Sequence, residues 1–232
     1  MSELRTAASA AVEFSTPPNT RWPIVAVAVG LICLMTNSVF ASDSEPDIIR
    51  IEEDWLVEVT TPDADESSPQ IITSMSSTDA LADVHAVFEL NHRTLPDFAA
   101  GGMELQLWSH DELIDLRISP KTAKLSFPNE SIYYTMAMKL DEGDVEFAVK
   151  NGYSETWSNF GWSGWLEVGT TTTQTRLNLY DPEESVANSR IAFAKHRVNR
   201  FGILRVRYYT YGNVLVKTDY TDRWVHVLAE SP

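Results

Sequence analysis

Apolar and polar residues alternate with period two along much of this chain. In the stretch Gly202 to Tyr220, Leu204, Val206, Tyr208 and Thr210 alternate with Arg205, Arg207 and Tyr209. That is the pattern of a strand with one buried face. Gly212 and Asn213 tolerate the positive φ a tight turn needs. A second β-rich run, Val214 to Thr218, follows and completes a hairpin. A three-residue loop, Tyr211-Gly212-Asn213, places Tyr208 opposite Val216, Val206 opposite Thr218 and Arg205 opposite Asp219. A two-residue loop would put charged and apolar residues on one side, so burial favours the first register.

Similar runs recur. Ile48 to Thr60 interleaves Ile49, Ile51, Trp55, Val57 and Val59 with four acids and reads as a bulged or edge strand. Further strands are expected at Gln70–Met75, Val84–Leu90, Met103–Trp108, Leu113–Ile118, Ala123–Phe127, Ser131–Leu140, Val145–Lys150, Leu166–Val168, Arg176–Tyr180, Ile191–Ala194 and Trp224–Leu228. Asp181-Pro182-Glu183-Glu184 opens a short helix: Asp caps, Pro fits the first turn, and acids suit the positive helix end. About a dozen short strands without long intervening helices exclude a parallel α/β sheet. The expectation is an all-β fold: an antiparallel β-sandwich, jelly-roll or concanavalin-A-like, with one or two short helical turns.

The N-terminus differs. Trp22 to Met35 is an uncharged, mostly apolar run, preceded by Arg5 and Arg21 and followed by Val39-Phe40-Ala41. It is too short to span a bilayer comfortably and matches a secretory signal with cleavage after Ala41. An uncleaved anchor is the alternative. Residues 1–41 are therefore expected to be a signal peptide, 42–46 a leader and 47–232 a single β-sandwich domain. The product would be exported, to the periplasm, cell surface or extracellular space, touching membrane only through the signal segment. The one cysteine, Cys33, lies in that segment, which leaves the mature chain without disulfide, thiol nucleophile or cysteine metal site.

The formal charge of −15 survives cleavage, because residues 1–41 carry two bases and two acids. Ser42 to Leu116 holds only Arg50 and Arg93 as bases, against 18 acids. Such a surface repels nucleic acid.

The pattern Asp181-Pro182, Ser185-Val186 and Asn188-Ser189, followed by Arg197-Val198 and Arg205-Val206-Arg207, resembles exported bacterial β-sandwich proteins of undefined activity. Leu90-Asn91-His92 and Gly101-Gly102 share the likeness. It implies the sandwich and carries no site residue.

Two stretches could bind ligand. Trp157, Phe160, Trp162 and Trp165 crowd one glycine-containing loop, where flat rings can stack on sugars or plug the end of a sandwich. Arg205, Arg207 and Tyr209, with Lys217, make a cationic and aromatic face that could grip an acidic glycan or acidic partner, or pair with acids across the sheet. The five histidines form no ligand motif, and neither Asp63-Asp65-Glu66 nor Asp141-Glu142-Asp144 matches a calcium loop. No metal or other cofactor is expected. Glu52 with Asp54, and Glu104 with Gln106, share strand faces, but no catalytic motif accompanies them. The sequence therefore points to an exported non-enzymatic binding or cell-surface structural module, with a glycan as candidate ligand. A glycan-active hydrolase or lyase on a jelly-roll scaffold is the alternative.

Overall fold

The structure, a computed structural model, describes residues 45–60, 69–78, 84–90, 101–123, 125, 127–161 and 165–226. Residues 1–44, which include the stretch expected to be a signal peptide, the acidic run 61–68, Trp162 and residues 227–232 lie outside them. The strands are β1 (Arg50–Val59), β2 (Gln70–Ser76), β3 (Val84–Leu90), β4 (Met103–Ser109), β5 (Glu112–Ile118), β6 (Ser131–Asp141), β7 (Asp144–Ser154), β8 (Ser158–Phe160), β9 (Glu167–Thr171), β10 (Arg190–Phe193), β11 (Val198–Thr210), β12 (Val214–Asp219) and β13 (Arg223–Trp224). Among the described residues one α-helix, α1 (Pro182–Asn188), precedes β10, and short 3-10 turns lie at Lys195–Arg197 and Tyr211–Asn213.

Two antiparallel sheets pack face to face, so the fold is an all-β sandwich. The larger sheet runs β12-β11-β1-β6-β7-β8, with β13 added to β11 and β9 to β7. The smaller runs β10-β2-β3-β4-β5, a β2–β5 meander extended by β10. Trp55 lies 6.4 Å from Tyr134 with nearly parallel rings and 5.3 Å from Phe201. Phe88 of the facing sheet meets Tyr134 edge-on at 5.1 Å. These rings, with Ile51, Met75, Leu105 and Phe147, fill the space between the layers.

β1 is not the edge strand its acids suggest. It sits between β11 and β6 at the centre of the large sheet. Its period-two pattern turns Ile51, Trp55 and Val57 inward, and Glu52 and Asp54 outward. The outward acids are neutralised by arginines of β11, which lets so acidic a strand take a central position.

The hairpin follows the three-residue loop only at its tip. Gly212 (φ 71°) and Asn213 (φ 62°) turn the chain, and Thr210 pairs with Val214 and Tyr209 with Leu215. A bulge between Tyr208 and Tyr209 then slips the register, so that Tyr208 faces Lys217, Arg207 faces Thr218 and Val206 faces Asp219. Two interactions favour the slip. The Lys217 ammonium lies 4.9 Å from the Tyr208 ring centroid. Asp219 accepts from Arg223 Nη2 at 2.8 Å, and Arg223 Nε donates to Glu183 of α1 at 2.7 Å. Hydrogen bonds from Thr221, then Arg223, hold the Asp219 carboxyl well below its usual range.

Other differences are local. The described part of Ala123–Phe127 forms no strand, and Arg176–Tyr180 is irregular chain with a turn at Asn178 and Leu179. The aromatic loop contains β8, which period-two reading passes over because it spans only three residues. α1 begins as its sequence directs: Asp181 Oδ1 accepts from the Glu183 amide at 3.0 Å, with Pro182 in the first turn.

Candidate functional site

A groove of about 550 Å³ lies on the outer face of the large sheet. Its floor comes from the alternation of three adjacent strands. Asp54 of β1 stands directly between Arg205 of β11 and Thr135 of β6. Two bulges shape its sides. Leu204 is an extra residue of β11, where Asp54 pairs with Arg205 but Trp55 with Ile203. On β7, Asn151 and Gly152 together face Tyr134, and Asn151 takes φ 52°. Bulges bend a strand and re-aim its side chains, and here both supply lining residues, Leu204 and Asn151. Tyr133 (45% exposed) and Tyr220 (72% exposed) flank the groove.

Asp54 organises the floor. Its Oδ1 accepts from Thr135 Oγ1 at 2.8 Å and from Arg207 Nη2 at 2.8 Å. Its Oδ2 accepts from Arg205 Nε at 2.7 Å and pairs with Arg205 Nη2 at 2.5 Å. Each oxygen thus receives two donors, a full complement for a carboxylate. The bond to Asp54 raises the Arg205 guanidinium above its usual pKa. One row along the strands, Glu52 Oε2 accepts from Tyr209 Oη at 2.9 Å and meets Arg207 Nη2 at 3.1 Å. Arg50 covers the Tyr209 ring at 3.7 Å and donates to Asn213 Oδ1 at 2.9 Å.

The sequence-derived candidates therefore separate. Arg205 and Arg207 line the groove, paired with the acids of β1. Tyr209 lies one row away, its ring covered by Arg50, and acts as a strut. Trp157 is buried as a plug: its indole donates to the Ala123 carbonyl at 2.8 Å, and its ring meets Phe160 edge-on. Trp165 is 58% exposed and is not part of the groove lining. Trp162 lies outside the described residues. Tyr133, Tyr220, Thr135 and Asn151 were missed by sequence reasoning. Their only trace is that Tyr133 falls on the polar phase of β6, because a bulge on β7 has no period-two signature.

Among the described residues, no group of three or more His, Cys, Asp or Glu could hold a metal ion. Asp141 to Asp144 form the β6–β7 turn, where Lys139 bonds Asp141. One carboxylate pair is directly opposed elsewhere: Glu89 of β3 faces Glu104 of β4 on the small sheet's outer side. Both are buried, and each is bonded by a glutamine amide, Gln70 to Glu89 at 2.9 Å and Gln106 to Glu104. Burial, and for Glu104 also the charge of Glu89, raises their pKa values.

No protein-family model matches this chain, and no curated protein matches it significantly in sequence. The site is therefore read from its own geometry.

Proposed function

We propose that this chain is an exported, non-enzymatic binding module, acting in solution or at a cell surface, that holds a glycan in the outer groove of its large sheet. The observation that carries the reading is the pairing of exposed Tyr133 and Tyr220 with a polar, rigidly bonded floor. Sugar rings offer apolar C–H faces to aromatic rings and hydroxyls to polar groups, and the groove supplies both. Asp54 is the one carboxylate among the described lining residues, and its oxygens are fully engaged. That suits holding better than acid–base work, which needs a carboxyl oxygen free to give or take a proton. Export rests on the run Trp22 to Ala41.

Oligosaccharide binding by calorimetry, with Tyr133→Ala and Tyr220→Ala variants, tests this. Both side chains are exposed, so both variants are expected to fold. Each should weaken binding about tenfold, the scale of one lost stacking contact. Unchanged affinity in both would move the ligand away from the groove.

The opposed pair Glu89 and Glu104 is the one observation favouring the hydrolase alternative. Release of reducing ends by the wild-type protein, abolished in Glu104→Gln, would establish it.

A further inference from the structure

Resting on the glycan reading above, we propose that Asp54 makes the groove select uncharged, hydroxyl-rich sugar chains and reject acidic ones. The arginines suggest the opposite at first sight, since Arg205 and Arg207 are a natural grip for carboxylates and sulfates. Their geometry removes that option. Arg205 turns Nε and Nη2 toward Asp54 Oδ2, a side-on pairing that occupies one edge of the guanidinium. Arg207 spends Nη2 on both Asp54 and Glu52. Asp54 and Glu52 thus pair with Arg205 and Arg207, and Arg50 Nε lies 3.6 Å from Glu52 Oε1, so each guanidinium along the floor already faces a carboxylate. A uronate or sulfate entering the groove would stand close to Asp54 without a free cation to compensate it. The chain's net charge of −15 adds a long-range term of the same sign.

A neutral pyranose meets no such cost. It needs ring faces, which Tyr133 and Tyr220 present, and groups that bond hydroxyls. The side chain of Arg205 remains 38% exposed, and Asn151 also lines the groove. Asp54 acts here as a positioning and specificity-determining residue: it holds two guanidiniums and the Thr135 hydroxyl in fixed orientations and, with Glu52, offsets the guanidinium charge.

The experiment compares neutral hexaoses (gluco-, manno- and xylo-) with hexauronates at about 50 and about 500 mM NaCl, a range over which exposed electrostatics are screened. Wild-type protein should bind a neutral hexaose with less than about twofold change between the two salts, because no counterion release is involved. Asp54→Asn leaves Arg205 without its acid and Arg207 with Glu52 alone, and should gain hexauronate binding by about tenfold or more at low salt, lost at high salt. Preference of the wild type for hexauronates, falling with salt, overturns the charge selectivity and leaves the glycan reading standing. Failure of every hexaose and hexauronate to bind overturns the glycan reading, and this inference with it. A folded Asp54→Asn without uronate gain overturns the role of Asp54. Should that variant fail to fold, the wild-type salt comparison still decides the ligand class. Glu52→Gln, which removes the acid shared by Arg207 and Arg50 and leaves Arg205 paired with Asp54, then reads the gain in smaller measure, and no gain there overturns the charge-balance argument.

Discussion

Tyr180 donates its hydroxyl to Glu53, a carboxyl with no solvent exposure on the core side of β1. The Trp55 indole donates to the other oxygen at 2.9 Å. Burial pushes Glu53 from its usual 4.5 up to about 7, against the opposing pull of Tyr180, Ser185, Trp55 and Arg223. Burial also raises Tyr180 and Tyr208, the latter to about 12, so both phenols remain donors over the physiological range.

This geometry sets a pH dependence. The folded protein keeps a proton on Glu53 that the unfolded chain releases between pH 4.5 and about 7. The stabilising contribution is complete below 4.5, falls as pH rises, and is lost above about 7. Its full size is about 3 kcal/mol, from the shift of the carboxyl. Gln at this position does not titrate, and its single oxygen replaces only one of the two acceptors, a loss that is the same at every pH. The stability of Glu53→Gln relative to wild type should therefore improve by about 3 kcal/mol between pH 4.5 and pH 8. Urea unfolding at both pH values measures it, and a difference that stays flat across the range would place Glu53 in a polar environment.

Glu89 and Glu104 act in the same direction. Directly opposed like charges on neighbouring strands repel, and burial strengthens the effect. Both carboxyls are raised, so their contribution is best at acid pH and is lost as pH rises through their folded values. Glu104→Gln removes one charge while its side-chain oxygen can still accept from Gln106. The variant should be more stable than wild type at pH 7, by up to about 1 kcal/mol, with the gain shrinking toward pH 4. Thermal melts at the two pH values check this, and a destabilised variant at pH 7 would mean the carboxylates share a stabilising proton instead.

Most strands were legible because period-two alternation and turn residues are local properties. Val84–Leu90 is read to its ends, and the cap at Asp181 needed only its neighbours. The groove was half legible. Arg205 and Arg207 stand out as charges on a strand, and pairing with acids across the sheet was one of the expectations. Their partner strand was not legible, because β1 and β11 are separated by well over a hundred residues and the acids of β1 suggested an edge. Bulges at Leu204 and Asn151 leave no periodic mark, and one further bulge beside Tyr208 slipped the expected hairpin register. Glu53 reads as a surface acid until Tyr180 and Trp55 are seen around it.

Gly202 lies where β13 pairs with β11, opposite Trp224. A Cβ there would lie 2.1 Å from the carbonyl oxygen of Arg223 and 2.8 Å from the Trp224 ring. The first obstacle is backbone, which cannot swing aside. Gly202→Ala must therefore push β13 off its pairing and disturb the Arg223 bonds to Asp219 and Glu183. A loss of about 1 to 3 kcal/mol is expected, the range for overpacked sites. Chemical denaturation reads this directly, and wild-type stability in the variant would mean that β13 docks loosely.

The tryptophans of the aromatic loop divide by burial, and their substitutions should divide with them. Trp157 packs against Phe160 and is anchored three times. Its indole donates to the Ala123 carbonyl, its amide donates to Ser154 Oγ at 3.0 Å, and its carbonyl accepts from Lys121 Nζ at 2.6 Å. Only the first of these is lost on truncation, but the cavity remains, and Trp157→Ala should cost about 3 to 5 kcal/mol. That is a large share of the roughly 5 to 15 kcal/mol available to a domain, so the variant should express poorly. Trp165, which is 58% exposed, should tolerate alanine within about half a kcal/mol. If the groove holds the ligand, Trp165→Ala should also bind oligosaccharide like the wild type. Folded Trp165→Ala protein with lost binding would return the ligand to the aromatic loop, and a stable Trp157→Ala protein would show that its ring does not seal the core.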